Sequence, residues 1–158
     1  MSTSPIKSPL SEADKEITGN ALQATLVDLV DLSLIAKQAH WNVVGSNFRS
    51  AHLQLDELVN TARQYVDEVA ERANAIGISP NGKAKTVVES SGVPEYPDNW
   101  HSVESTVAAI VDILAKLIER LRARIDETDK SDLVTQDLLI EITRALEEAH
   151  WMWQAQQA

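Results

Sequence analysis

The stretch from Gly77 to Asn99 carries Pro80, Gly82, Gly92, Pro94 and Pro97 and interrupts an otherwise helix-patterned chain near its middle. It is too long for a tight turn between antiparallel neighbours, so it reads as a crossover, with room at Ala84 to Ser90 for a short helix inside it. Before it, Ile17, Ala21, Ala24, Leu26, Val27, Val30, Leu34 and Ile35 recur at helical steps between Ser11 and about Trp41. Ser11 with Asp14 has the form of a capping box at the start of that segment. A second helix is expected from Asn47 to Ile76, stopped by Gly77. Beyond the crossover, Val107, Ile110, Leu114, Leu117 and Leu121 mark a third helix over His101 to Ile125. Leu138, Ile142, Ala145 and Ala149 mark a fourth from about Ser131. Four long helices with one long central connection predict an all-α, up-down-down-up four-helix bundle whose second and third helices run parallel. No internal repeat, nucleotide-binding glycine loop or strand alternation competes with this.

With 158 residues, 44% of them hydrophobic, and no cysteine, the chain suits one domain with a substantial core and no disulfide framework. Residues 1–10, with Pro5 and Pro9, are expected to form a flexible N-terminal arm ahead of a bundle domain at 11–158. Neither a signal-peptide core nor a membrane span is legible, so a cytoplasmic location without membrane attachment is expected. Fourteen basic residues against 24 acidic ones give a net charge of −10. Such a chain repels polyanions and favours cations.

On the second helix, His52, Asp56, Asp67 and Glu71 fall within about 100° of one another and share one face. Along the axis, however, the His52/Asp56 pair lies roughly 22 Å from Asp67/Glu71, so no single ion reaches both pairs. A two-fold axis crossing near Thr61 and Ala62 would set His52 and Asp56 of one copy against Asp67 and Glu71 of a second, forming two equivalent sites. His40, just upstream, could add a further nitrogen. Imidazole mixed with carboxylate suits ferrous iron, whereas carboxylates alone suit magnesium or calcium and thiolates suit zinc. The same acids also fit an ordinary solvated face, with Arg63 and Arg72 as ion-pair partners. Against that stands the intervening stripe of Val59, Val66 and Ala70, which has the character of a buried interface.

The run Lys37-Gln38-Ala39-His40-Trp41-Asn42-Val43-Val44-Gly45-Ser46-Asn47-Phe48, followed by His52, Asp56, Asp67 and Glu71, closely resembles the Dps family of ferritin-like mini-ferritins. The resemblance extends over nearly the whole chain, including Trp151-Met152-Trp153. It implies a ferritin-like bundle and a hollow dodecameric homo-oligomer built from two-fold dimers. His40, His52, Asp56, Asp67 and Glu71 would form ferroxidase centres between subunits. Iron would be oxidised there from ferrous to ferric, with hydrogen peroxide the preferred oxidant, and stored as mineral. Trp41, next to a ligand, is a candidate for accepting a stray oxidising equivalent or for plain packing.

Other readings remain open. A di-iron site within one chain would need two Glu-x-x-His motifs. Only Glu147-Glu148-Ala149-His150 supplies one, so His150, like His101, is expected to serve in packing or at the surface. Asp126, Asp129, Asp132 and Asp137 around the third connection are candidates for lining a pore. Members of the family that coat DNA commonly use basic tails. Here the N-terminal arm offers only Lys7 and Lys15, and Gln154 to Ala158 has no basic residue, so direct DNA binding is expected to be weak. The alternatives to an iron-storing ferroxidase are a DNA-protecting, nucleoid-associated protein and a metal-dependent hydrolase using the same His/carboxylate set.

Overall fold

The computed structural model describes residues 4–158; the first three residues of the arm lie outside that range. Long helices α1 (Glu12–Asn42), α2 (Phe48–Ala75), α4 (Val103–Thr128) and α5 (Leu133–Gln154) make the bundle, and a short α3 (Ala84–Ser90) sits in the crossover. The chain ends in one 3₁₀ turn, Ala155–Gln157. Helix α1 packs along α2, and α4 along α5.

Each long helix buries a seam at alternating four- and three-residue steps. In α1 the seam is Thr18, Leu22, Thr25, Leu29, Leu32, Ala36 and Ala39; in α4 it is Val107, Ile110, Leu114, Leu117, Leu121, Arg124 and Thr128. This heptad spacing keeps one stripe facing a neighbour along the whole helix, the geometry of long bundles. Ile17 and Leu34, read from the sequence as part of the α1 core stripe, lie off that seam and are 46% and 55% exposed. Helix α1 is apolar on more than one face, and three-or-four periodicity does not separate a core stripe from one left for the surface of the protomer.

Helix ends follow local chemistry. The Ser11 hydroxyl accepts the Asp14 amide at 3.1 Å and donates to the Asp14 carboxylate at 2.6 Å, closing the expected cap. At the end of α2, Ile78 N–H reaches Ala73 O and Gly77 N–H reaches Asn74 O, both at 2.9 Å, with Gly77 at φ +80°. That is a Schellman stop, and glycine is the residue that takes this backbone without strain. The Ile6 carbonyl rests over Gly77, where a Cβ would come within 2.8 Å of it.

Two expectations shift. A parallel two-residue ladder pairs β1 (Val43–Val44) with β2 (His101–Ser102), so the exit of α1 is stitched to the entry of α4. His101 therefore lies in extended backbone, and α4 starts at Val103 behind the Ser102 cap. A pair of two-residue strands is too short to leave an alternating pattern in a sequence.

Asp28 in mid-α1 has no exposed surface. It accepts Arg124 at 2.6 Å and Arg120 at 2.9 Å from α4, and the Gly92 amide of the crossover at 2.9 Å. A Cβ on Gly92 would fall on the Arg120 guanidinium, so a larger residue there would require that side-chain end to shift. Asp132, suggested by the sequence as a pore residue, is instead buried. Its carboxylate caps α5 through the Val134 and Thr135 amides, each at 3.2 Å, and pairs with Arg72 of α2 at 2.6 Å. Burial pushes that carboxyl up, but hydrogen bonds from Thr135 and Arg72 and the Arg72 charge outweigh it, leaving the group below its ordinary value.

Asp28→Asn strands the Arg124 charge in the core and is expected to cost about 3 kcal/mol or more in denaturant unfolding at fixed protein concentration. Because the Asp132 pKa is lowered on folding, its contribution is present above the ordinary carboxylate value and lost as pH falls through the folded value. Asp132→Asn should cost about 2 kcal/mol at neutral pH and flatten the loss of stability below about pH 4. Unfolding curves at several pH values check this.

Candidate metal centre

His40 closes the last turn of α1 and His52 stands in the second turn of α2, brought face to face by the short Val43–Asn47 connection. Their rings stack with centroids 3.6 Å apart and planes 20° from parallel. Each ring also bonds the other's backbone: His40 Nδ1 lies 2.7 Å from His52 O, and His52 Nδ1 2.8 Å from His40 O. A carbonyl oxygen can only accept, so both Nδ1 atoms carry the proton and donate. In the neutral rings the lone pair is therefore on Nε2, the nitrogen left free to bind a metal. The helix hairpin thus fixes the tautomers of two candidate ligands with main-chain oxygens.

One turn beyond His52, Asp56 is half-buried, its Oδ1 3.6 Å from His40 Nδ1. The Lys37 ammonium, from the same face of α1 as His40, bonds that same oxygen. The Lys37 hydrogen bond holds the Asp56 carboxyl below its ordinary value; burial opposes this, and the neighbouring His40, Lys37 and His52 charges assist it. Phe48 tilts against His52 at 5.4 Å and walls the stack on the α2 side. Neither Lys37 nor Phe48 was assigned a role from the sequence. The signal for Lys37 was its position three residues before His40, which puts both on one helix face.

Asp67 and Glu71 lie farther along α2 with exposed side chains, and among the described residues neither forms a hydrogen bond or an ion pair. Arg63 does not reach them, and Arg72 turns away to Asp132 and Thr135. The ion-paired face that the sequence left open is therefore not formed by these residues within the protomer. Among the described residues, no group of three or more His, Cys, Asp or Glu gathers to hold a metal in one protomer. The structure brings together His40, His52 and Asp56 and leaves Asp67 and Glu71 apart.

Trp41 is 66% exposed and lines an outer groove with Leu34, Gln38 and Tyr96, instead of packing on the imidazole stack. His101 bonds the Asp98 carbonyl at 2.8 Å through Nε2, a loop-fastening role. In the lone Glu-x-x-His motif, Glu147 is engaged by Arg122 at 2.6 Å. Lys15, expected from the sequence to belong to the basic charge of the arm, stands instead in the first turn of α1 and pairs with Glu12 at 3.2 Å. Among the described residues, no helix is long and apolar enough to cross a membrane.

Comparison with known proteins identifies the family. The ferritin-like domain family matches residues 19–158, and the chain belongs to that class of helical bundle. A fine tangled pili major subunit of Haemophilus ducreyi is 36% identical over 146 residues, 92% of this chain and 77% of the relative. A DNA protection during starvation protein of Mycolicibacterium smegmatis is likewise 36% identical over 146 residues, covering 92% of this chain and 80% of the relative. A solved structure of Mycobacterium smegmatis Dps, in its tetragonal form, superposes with a TM-score of 0.93 at 35% identity, covering 98% of this chain and 94% of that one. Within the ferritin-like class, this chain is a member of the Dps family.

Asparagine places its amide nitrogen where histidine has Nδ1 but has nothing at Nε2. His40→Asn and His52→Asn are expected to keep the donor to the opposite carbonyl, with melting changed by no more than about 1 kcal/mol. Both should lose divalent-metal affinity at least tenfold. Circular dichroism melts and metal titration of the same samples separate the two effects.

Proposed function

We propose that this protein oxidises and stores iron in a hollow dodecameric homo-oligomer, at ferroxidase centres shared between two-fold-related subunits. The observation that carries the reading is the division of donors in one protomer. Two imidazoles with free Nε2 atoms stand beside Asp56, while Asp67 and Glu71 stand unpaired on the same helix roughly 22 Å away. A two-fold axis near Thr61 and Ala62 brings the complementary halves together twice, which supplies the donors that one protomer lacks. Two nitrogens and three carboxylates per site suit ferrous iron.

Iron is the substrate. Two ferrous ions each give one electron to hydrogen peroxide, which takes up two protons and leaves as two waters, so no hydroxyl radical is released. His40 and His52 supply neutral nitrogen ligands. The carboxylates of Asp56 and Glu71 stabilise the added positive charge of the ferric product, and Asp67 acts at the site directly or through water. The acidic excess of the chain favours cation entry. Trp41, exposed in the protomer and next to His40 in the chain, would serve as a sink for a stray oxidising equivalent.

A DNA-protecting role is the second reading, suggested by the name of the Mycolicibacterium smegmatis relative. Charge weighs against a direct electrostatic grip on DNA: the chain carries a net −10, and Lys15, at the start of α1, is ion-paired with Glu12. Protection through removal of ferrous iron and peroxide needs no such grip. The reading places the protein in the cytoplasm, where both reactants arise.

His52→Ala or Asp56→Ala should lower ferrous oxidation by peroxide at least tenfold, as should Asp67→Ala with Glu71→Ala. Co-assembling the two mutant types from denatured subunits is the sharper experiment. In a random mixture half of the dimers are mixed, and each mixed dimer has one intact site, so about a quarter of wild-type activity should return. Stopped-flow oxidation rates decide it; no recovery on mixing would mean that each site is built within one chain.

A further inference from the structure

A lysine ammonium already bonds one carboxylate oxygen of the proposed site. Lys37 reaches from α1 to Asp56 Oδ1 on α2, and its side chain is only 24% exposed. The same oxygen faces His40 Nδ1 at 3.6 Å, so Lys37 lies at the edge of the imidazole stack. We propose that Lys37 is the resident counter-ion of the site: it neutralises Asp56 so that the half-sites of two copies can close without metal, and it yields Asp56 when a divalent cation enters. This rests on the shared-site reading given above.

The argument is one of charge. Closing two copies about the two-fold places Asp56 near Asp67 and Glu71 of a second copy, and neither of those two has a cation of its own within the protomer. Three carboxylates approaching in a partly dry interface repel strongly when nothing offsets them. Arg63 and Arg72 do not offset them; Arg72 is committed to Asp132. Lys37 is the cation that the fold places in contact with a member of the set. Because it is monovalent and on a flexible stem, a divalent ion with two imidazole ligands can displace it, and Lys37 then lowers metal affinity in proportion to the contact it gives up.

The test uses full-length protein and zinc ion, which binds nitrogen and carboxylate ligands without redox chemistry. Wild type and Lys37→Arg are expected to show the same association state on dilution with EDTA or with zinc. Lys37→Met should dissociate at least tenfold more readily in EDTA, recover with zinc, and bind zinc several-fold more tightly than wild type by calorimetry. Lys37→Met combined with Asp56→Asn removes both charges; it should assemble without metal as wild type does and no longer respond to zinc.

A mere packing role for Lys37 predicts the reverse: the single variant stays weakened with zinc and the double variant is no better. Either result, or Lys37→Met that associates and binds zinc as wild type does, overturns the proposal. If Lys37→Met does not fold, Lys37→Gln carries the same comparison. Zinc binding that survives His52→Ala would overturn the shared site itself, whereas loss in His52→Ala with a wild-type-like Lys37→Met would overturn only the role of Lys37.

Discussion

A fully buried carboxylate, Asp28, ties together the three parts of the chain on which the bundle geometry depends: α1, α4 and the crossover between the two helix pairs. Two guanidiniums and a main-chain amide surround it, so its charge is offset and its lone pairs are used, which makes ionic burial tolerable. Because the Gly92 amide is bonded to the same carboxylate, the crossover is fastened at this point as well. With α1 anchored to α4 on one side, α2 is left to pack along the other side of α1, and the register of that pair fixes where His40 meets His52.

At the candidate metal centre, the imidazoles are oriented by backbone. The two imidazoles exchange hydrogen bonds with each other's carbonyls, so their tautomers follow from the closure of a short helix hairpin. Fixing rotamer and tautomer before a metal arrives removes part of the ordering cost of binding. The carboxylate half of the proposed site is organised differently. Asp67 and Glu71 stand unpaired on the protomer, held only by the straightness of α2, and depend on a second copy for partners.

Much of this was legible in the sequence. The Gly- and Pro-rich crossover, the Ser11 cap, the Gly77 stop and the four apolar stripes follow from local rules that act within a turn or two of helix. Periodicity does not tell one apolar face of α1 from another: Ile17 and Leu34 share the spacing of a core stripe yet are exposed in the protomer. Asp132 illustrates the same limit: its position beside a connection suggested a pore, whereas its partner Arg72 lies sixty residues away along the chain.

Sequence by itself determined which side chains share a face of α2 and that His52/Asp56 and Asp67/Glu71 are too far apart for one ion, because helical rise and twist are fixed by the backbone. Only the tertiary structure decided which nitrogen of each histidine is free, that Lys37 sits on Asp56, and that Arg72 is withdrawn from the acidic face. Those outcomes depend on the rotation and register of one helix against another, which the packing of whole seams sets and no short run of residues encodes.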